Sequence, residues 1–444
     1  MQQIDTGYRA ILRMAAPISM GAFVQFLVVL TDNFFLSRVG EAEINGAGNA
    51  GLLYLTFSMV AMATTSTGQI LIARRIGEND RAAGYRLVRT GALVMLGMAV
   101  VLLFGLNLTT HWLADNVLSD PSTTLVFKNF MAVRMWGFFP YFGMLLLTAL
   151  FLGTARSKIL WWVTLATSLI NIGGDMVLIS GKYGFPAMGA EGAALASFAA
   201  ECCGFAVLLV GVIARHPLLL MRWRGRWLNR EEIGRWTRLA LPMIAQLTVS
   251  IGTWALFFFL VEHVGPMELK VSHVARNFFM IAFFIVTGVR QTGQTFVSTL
   301  LGEGNRDQVN STLWRLITVN LVGVSLVAHG LWLYPAVFAA PFFIDDPVGL
   351  DATIRTLPVI FGVMLIYSFT SILLAGIQGA GHTLPALLIE GLAIILYVVI
   401  AVQITLVNPL PIWRIWLLDY LYFAAMGLGA LFFLWRFDWK SKAV

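Results

Sequence analysis

Residues 17–37 read PISMGAFVQFLVVLTDNFFLS, a mostly apolar run that is long enough to cross a bilayer. A single carboxylate, Asp32, interrupts this run near its end. A charge at bilayer depth costs at least about 2.5–3.5 kcal/mol, even on the lenient insertion scales. Because apolar segments of this length recur along the chain, the stretch predicts a helical membrane protein in which Asp32 has a functional role.

The overall composition is typical of a membrane protein. Of the 444 residues, 58% are hydrophobic and 12% are charged, and the mean hydropathy is +0.80. Soluble domains carry about 25% charged residues. Apolar stretches of about 20 residues predict an all-α polytopic fold with twelve transmembrane helices. The predicted spans are 10–36, 44–73, 85–111, 124–153, 158–181, 189–214, 234–262, 268–299, 312–341, 352–378, 383–407 and 411–436.

The positive charges are sorted by loop. The net charge is +7, and 21 of the 30 Lys and Arg residues fall in the termini and in the loops predicted on the same side. The positive-inside rule therefore predicts cytoplasmic termini and a cytoplasmic central linker in a multi-pass protein of the inner (plasma) membrane. This sorting argues against nucleic acid as a partner. The first residues lack a short apolar region followed by a cleavage site, so we expect no removable signal peptide.

An internal repeat is visible when the chain is compared with itself at an offset of 225 residues. RMAAPI at 13–18 aligns with RLALPM at 238–243, and TGQ at 67–69 recurs at 292–294. Each copy contains six spans, so both copies enter the bilayer in the same direction as parallel repeats. We predict two six-helix bundles around a central cleft, an arrangement typical of carriers with alternating access. The predicted domains are an N-lobe at 1–214, a cytoplasmic linker at 215–233 and a C-lobe at 234–444.

Motifs for enzymatic chemistry are missing from the sequence. It contains no P-loop and no HExxH metal-ligand motif, and its six histidines are scattered. The two cysteines, Cys202 and Cys203, are neighbours in a predicted helix, where a disulfide or a metal site is not expected. We therefore predict that the protein is not an enzyme and needs no cofactor.

The candidate cation site consists of polar residues that the repeat does not share. Asp32, Asn171, Asp175 and Ser197 correspond to the second-half residues Phe257, Leu396, Ile400 and Tyr422. A rise of ~1.5 Å per residue places Asp32, Asp175 and Ser197 at one depth, roughly 9–12 Å below the outer boundary. Asn171 shares a helix face with Asp175 because the two are four residues apart.

Two carboxylates, a carboxamide and a hydroxyl would form an oxygen-rich pocket. Such a pocket can hold Na⁺ through hard oxygen ligands, or its carboxylates can share protons, because like charges nearby favour protonation of one of them. In either case, occupancy would change the charge of the lobe and bias its helices between two shapes. The alternative is that Asp32 and Asp175 are ordinary helix-end residues that reach interfacial water.

The sequence resembles the multidrug and toxic compound extrusion (MATE) transporters over nearly its whole length. The resemblance rests on TDNFFLSRVG, ARRIGENDRAAG, FLGTARSK, NIGGDMVLISG, FPAMGAEGAALAS, LALPM, VSTLLGEGNRDQV and QGAGHTLP, in this order. It implies Na⁺- or H⁺-coupled export of amphiphilic, often cationic compounds through a central cavity. It also implies that Asp32, Asn171, Asp175 and Ser197 form the cation site of the N-lobe.

The sequence departs from the family pattern at three places. Thr148 stands where the family often has an Asn, and Ser250 stands where one branch has a Glu. The tenth-span Asp of that branch also has no counterpart in LIYSFTSILLAG. A cation site of that type is therefore expected to be missing from the C-lobe, and coupling is expected in the N-lobe.

Several polar residues within the spans are candidates for the substrate cavity, namely Gln25, Thr148, Arg276 and Arg290. For the intramembrane charges, including Arg134, Glu201 and Glu390, the alternative is pairing inside the protein or snorkelling near span ends.

The predicted function is a cation-coupled exporter of small amphiphilic substrates that works as a monomer. A lipid-linked oligosaccharide flippase is the alternative, favoured if Arg134, Arg276 and Arg290 converge to bind a diphosphate. An intramembrane enzyme or a channel is a third class, for which no motif is found.

Overall fold

The computed structural model describes residues 3–217, 219 and 229–441, and all regular structure within them is helical. Twelve long helices follow one another along the chain, which confirms the predicted all-α fold. They are α1 (Tyr8–Ser37), α2 (Glu41–Gly77), α3 (Arg81–Asn116), α4 (Pro121–Gly153), α5 (Ile159–Leu178), α6 (Gly189–Arg215), α7 (Arg230–Val264), α8 (Pro266–Gly302), α9 (Arg306–Ala328), α10 (Pro347–Gly379), α11 (Thr383–Val407) and α12 (Ile412–Arg436).

Eleven of these helices are long and apolar enough to cross a membrane, as judged by length and composition over the described residues. The twelfth is α5, which has 20 residues but no 18-residue stretch as apolar as those of the other eleven helices. Its polar residues include Asn171 and Asp175, so the span with the weakest membrane signal contains two of the predicted site residues.

The internal repeat is also present in the helix boundaries. α2 begins at Glu41 and ends at Gly77, and α8 begins and ends 225 residues later. Each helix is followed by a residue in the left-handed region, Asn79 with φ 59° and Gly304 with φ 79°. Asparagine and glycine enter this region with little strain, so both copies turn at the same point.

The contacts divide the chain into two compact units. The N-terminal unit comprises Met20–Ile76 and Asp80–Thr237, and the C-terminal unit comprises Met1–Ser19, Gly77–Asn79 and Arg238–Val444. The first part of α1 therefore groups with the second half of the chain. Much of the predicted linker at 215–233 lies outside the described residues, and the predicted domain boundaries remain a prediction.

The ninth predicted span, 312–341, is too long. α9 ends at Ala328, and two short helices follow, Gly330–Leu333 and Pro335–Ala339. Tyr334 separates them with φ −137° and ψ 49°, outside the helical region. The cause is the following Pro335, because proline disfavours the α conformation in the residue before it.

α5 and α6 form a close helical hairpin in the N-terminal unit. Gly181 has φ +66° in the turn, and the Met188 N–H donates to the Leu178 carbonyl at 2.9 Å. Further along the pair, a Cβ on Gly174 would lie 2.7 Å from the Cβ of Ala196. Glycine at 174 therefore permits a separation of the two helices that a larger residue would prevent.

His216 lies just after α6 and is buried at 4% exposure. Its Nδ1 is 3.3 Å from the Tyr85 hydroxyl oxygen, and its ring packs edge-on against Phe151. Burial, together with the positive charges of Arg156, Arg81 and Arg215, lowers the pKa of His216 from 6.5 to about 4. The folded protein therefore holds this side chain neutral at pH values where an exposed histidine is charged.

Acidification is expected to destabilise the fold through His216. Below pH 6.5 the unfolded chain binds a proton at this residue, whereas the folded chain does not until about pH 4. The loss grows through this window, and a folded-state pKa of about 4 corresponds to a loss on the order of 3 kcal/mol. In the His216→Phe variant, the melting temperature should fall less between pH 7.5 and pH 4.5 than it does in the wild type. A variant whose pH dependence matches that of the wild type would contradict this prediction.

Candidate functional site

The two polar residues predicted on α5 are directed into the protein. Asn171 and Asp175 are one helical turn apart, with exposures of 4% and 0%. Side chains at i and i+4 share a face of a helix. α5 therefore presents an amide and a carboxylate to the interior of the N-terminal unit.

Asp32 reaches the same place from α1. Its half-buried carboxyl group lies within hydrogen-bonding reach of the Asp175 carboxyl group. Two carboxylates at this separation repel each other when both are ionised, and a proton or a cation between them removes the repulsion. The structure thus brings together the two acidic residues that the sequence indicated.

Ser197 on α6 completes the cluster through Asn171. The Asn171 Nδ2 group donates a hydrogen bond to Ser197 Oγ at 3.1 Å. Gly174, on the same helix as Asn171, allows this close approach of α5 and α6. All four residues predicted for the cation site are assembled, from α1, α5 and α6 of one unit.

The cluster is rich in acceptors and poor in donors. Asp32 Oδ1, Asn171 Oδ1 and both carboxylate oxygens of Asp175 are buried, and none of these four atoms receives a hydrogen bond from the described residues. Two ionised carboxylates cannot satisfy one another, because neither carries a hydrogen. A buried acceptor without a donor costs about 1–3 kcal/mol, and more when it is charged. This set of oxygens fits a shared proton or a hard cation such as Na⁺.

The two N-lobe residues predicted for the substrate cavity, Gln25 and Thr148, are not part of the hydrogen-bonded cluster around Asn171. Gln25 is exposed on α1, and Thr148 is half-buried on α4. No hydrogen bond among the described residues joins either of them to the four site residues. Their predicted roles in a substrate cavity therefore remain predictions.

The charges of Arg134 and Glu201 neutralise each other inside the N-terminal unit. The guanidinium donates two hydrogen bonds to the carboxylate, at 2.7 and 2.6 Å. Tyr54 adds a third donor to Glu201 at 3.3 Å, and its ring lies 3.8 Å from the guanidinium carbon. Arg134 also attracts the charge of Asp32, so this ion pair lies close enough to the candidate cation site to influence it.

The C-terminal unit has its own buried carboxylate, Glu390 on α11. It accepts hydrogen bonds from Gln246 Nε2 and Ser250 Oγ on α7, and from the Tyr422 hydroxyl on α12 at 2.9 Å. Helices α7, α11 and α12 are the repeat counterparts of α1, α5 and α6. The equivalent helices α5 and α11 thus each carry a buried carboxylate, and among the described residues Glu390 on α11 receives donors whereas Asp175 on α5 does not.

Arg290 is tied into the same network. It donates to Gln378 Oε1 at 3.1 Å, and Gln378 donates in turn to Gln246 at 2.9 Å. Arg276 is different, since its guanidinium lies over the rings of Phe258 and Trp254 at 5.3 and 6.0 Å. It lines a cavity of about 70 Å³ that also contains Asp419 and Tyr422.

These arrangements weaken the case for a flippase. That alternative would be favoured if Arg134, Arg276 and Arg290 converged to bind one diphosphate. Arg134 is engaged by Glu201, and Arg290 is engaged by Gln378. Of the three, only Arg134 has a carboxylate partner among the described residues, because Arg290 donates to an amide and Arg276 lies over aromatic rings.

Sequence reasoning missed the glutamine and tyrosine residues that organise the two buried carboxylates. Gln246, Gln378 and Tyr422 satisfy Glu390 directly or through one another, and Tyr54 supports Glu201. Each of these residues lies in an apolar span, where an uncharged polar side chain gives little signal in hydropathy. A search for partners of every intramembrane carboxylate would have found them, because a buried charge requires donors.

Comparison with known proteins agrees with this architecture. The MatE family model matches residues 17–177 and, a second time, residues 242–402. The chain is 26% identical over 340 residues to the probable multidrug resistance protein NorM of Rhizobium meliloti (strain 1021), covering 74% of this chain and 70% of that protein. It is 24% identical over 396 residues to the protein of the same name from Thermotoga maritima, covering 87% and 83%.

Solved structures show the same fold. One is a MOP superfamily transporter from Pyrococcus furiosus, which is described as having a binding pocket of reverse polarity. Its TM-score is 0.87 and its sequence identity is 17%, and the match covers 99% of this chain and 98% of that chain. Another is an outward-facing multidrug resistance MATE family transporter, with a TM-score of 0.85 and 17% identity over 98% and 96%. With two matches that together span more than half of its length, the chain belongs to the MatE family of multidrug and toxic compound extrusion proteins and is a multi-pass membrane transporter, not an enzyme.

Proposed function

We propose that this transporter is an antiporter that exports amphiphilic compounds in exchange for H⁺ or Na⁺ by alternating access. The observation that carries the proposal is the cluster of Asp32, Asn171, Asp175 and Ser197, in which four buried acceptor atoms lack donors. A cation that binds in a site of this kind stabilises it, because the cation offsets the repulsion between the carboxylates. The printed names of the relatives, multidrug resistance proteins, support a drug-like substrate.

Neutralisation of the acidic pair is the proposed coupling step. When both carboxylates are ionised, repulsion between Asp32 and Asp175 favours a separation of α1 from α5. A proton or Na⁺ removes the repulsion and lets the two helices approach each other. Cation binding on the outer side would then accompany release of the substrate, and loss of the cation to the cytoplasm would reset the transporter.

The C-terminal unit is proposed to take no part in cation coupling. Glu390 receives hydrogen bonds from three donors, so its oxygens have partners without a bound cation. Arg290 adds a positive charge at the other end of the same network. This difference between equivalent helices supports coupling in the N-terminal unit alone.

Amphiphilic organic cations are the proposed principal substrates. Arg276 widens this class, because it is a half-buried cation against Trp254 and Phe258 and has no carboxylate partner among the described residues. An aromatic compound with an acidic group could pair with this guanidinium and stack on the rings. Zwitterions are therefore included among the proposed substrates.

The proposed setting is the inner (plasma) membrane, with both termini in the cytoplasm. The support is the sorting of positive charges, since 21 of the 30 Lys and Arg residues fall on the side of the termini. We also propose that the protein acts as a monomer and uses no cofactor, with the transported H⁺ or Na⁺ as its coupling ion.

Reconstituted vesicles test the proposal most directly. Purified protein is placed in liposomes with a fluorescent cationic dye, and a pH gradient and a Na⁺ gradient are imposed in turn. Dye transport against its own gradient is expected under at least one of the two, and dissipation of that gradient should stop it. Dye movement at the same rate without either gradient would overturn the proposed coupling. A zwitterionic dye in parallel vesicles tests the wider substrate class.

A further inference from the structure

A long apolar groove in the N-terminal unit lies outside the cation site. It has a volume of about 490 Å³ and is lined by α3, α4, α6 and Leu219. Every lining residue is apolar, and those that the argument uses are Val88, Ala92, Leu96, Ala99, Val212 and Leu219. A cavity of this volume is in the range of ligand sites, but it offers no side chain that could bind a polar group.

The groove is open toward exposed apolar side chains. Leu96 is 54% exposed and Leu209 is 39% exposed, and both helices show further exposed apolar residues on either side. On helices that span a membrane, such surfaces meet lipid acyl chains. Hydrocarbon is therefore the solvent at the mouth of the groove.

The length of the groove matches one leaflet of a bilayer. Val88 and Ala99 line it on α3 and are 11 residues apart, which corresponds to about 16 Å along the helix axis. Half of the hydrocarbon core of a bilayer is about 15 Å thick. The groove can thus accommodate an acyl chain that runs from the membrane surface toward the midplane.

Three arginines lie around His216, next to the end of the groove that is near the helix ends. Val212 and Leu219 line the groove and are hydrogen-bonded through their backbones to His216. The charges of Arg81, Arg156 and Arg215 all act on this histidine, and Arg156 donates to the Arg215 carbonyl at 3.0 Å. All three arginines are exposed, and none has a carboxylate partner within the described part of the chain.

We propose that this groove and the three arginines form a binding site for an anionic phospholipid. One acyl chain occupies the groove, and the phosphate of the headgroup lies against Arg81, Arg156 and Arg215. Phosphate suits guanidinium groups because it accepts two parallel hydrogen bonds and carries the opposite charge. Charge complementarity also favours a lipid over the chain's own residues 220–228, which carry Arg222, Arg224 and Arg226.

Lipid binding by the purified full-length protein tests the proposal. Phosphatidylglycerol and phosphatidylcholine with identical acyl chains are titrated into the protein in detergent, and bound lipid is counted by native mass spectrometry. Phosphatidylglycerol should bind more tightly. Each of Arg81→Gln and Arg156→Gln should weaken its binding about fivefold, since an interfacial arginine contributes about 1 kcal/mol. Arg9→Gln, at an exposed arginine of the C-terminal unit, is the matched control and should change nothing.

The groove is tested separately by filling it. Ala92→Phe and Leu96→Phe place a ring in the groove, whereas Leu108→Phe adds one to the same helix at a position that is 72% exposed and outside the groove. The first two variants should lose the tightly bound lipid, and the third should retain it. Inorganic phosphate should not displace the lipid, because it cannot use the groove. Equal binding of the two lipids, or full binding by both groove variants, would overturn the proposal.

Discussion

Asp175→Asn is expected to reduce gradient-driven dye efflux to the level of protein-free vesicles, while membrane insertion and folding remain intact. Asparagine has nearly the same shape as aspartate but can neither carry a negative charge nor bind a proton. It also removes the repulsion with Asp32, so the variant should be at least as stable as the wild type. Asp32→Asn should have the same effect on efflux. Transport is measured in reconstituted vesicles under the gradient that drives the wild type.

Asp115→Asn provides the matched control for this loss. Asp115 is on α3 of the same unit, and its exposed carboxylate pairs with Lys128 at 2.9 Å, away from the cluster. An exposed pair of this kind contributes little to stability, so efflux should remain near the wild-type rate. Full efflux by both Asp32→Asn and Asp175→Asn would contradict coupling at this site. Losses that extend to the control would point to a general effect of removing acidic residues.

Removal of one partner of the Arg134–Glu201 pair is expected to destabilise the protein strongly. The guanidinium and the carboxylate satisfy each other through two short hydrogen bonds, with side-chain exposures of 13% and 11%. Glu201→Leu or Arg134→Met leaves a buried charge without its counterion, at a cost of about 3–5 kcal/mol in the free energy of unfolding. Unfolding of the purified variants, by heat or by denaturant, measures this loss.

The double variant separates a lost ion pair from lost packing. Arg134→Met together with Glu201→Leu removes both charges and leaves apolar side chains, which is often close to neutral for stability. The double variant should therefore recover more than half of the stability lost in either single variant. If its loss equals the sum of the single losses, the two residues act independently, and the electrostatic explanation is wrong.

Much of the architecture was predictable because it depends on patterns that are local in the chain. An apolar run of about 20 residues must become a helix in a bilayer, since no other structure satisfies its backbone there. The repeat was equally visible, because a constant offset preserves helix lengths and turns, as Asn79 and Gly304 show. The ninth span was predicted too long because hydropathy is insensitive to a backbone break such as the one before Pro335.

The candidate site was partly predictable for the same reason. A carboxylate in an apolar span raises the free energy of membrane insertion, so Asp32 and Asp175 were conspicuous in the sequence. Helical periodicity also placed Asn171 on the face of Asp175. Their common depth followed from counting residues, but depth alone does not specify which helices are neighbours.

By itself, the sequence determined the membrane class, the doubled six-helix plan and the identity of the four polar residues, because each follows from residue type and spacing. Only the tertiary structure decided which buried charges have partners. Asp175 lies beside Asp32 without a donor, whereas Glu390 on an equivalent helix receives three. The physical reason is that a buried carboxylate accepts its hydrogen bonds from other helices. The packing that brings those donors close depends on several helices and cannot be predicted from the sequence of one span.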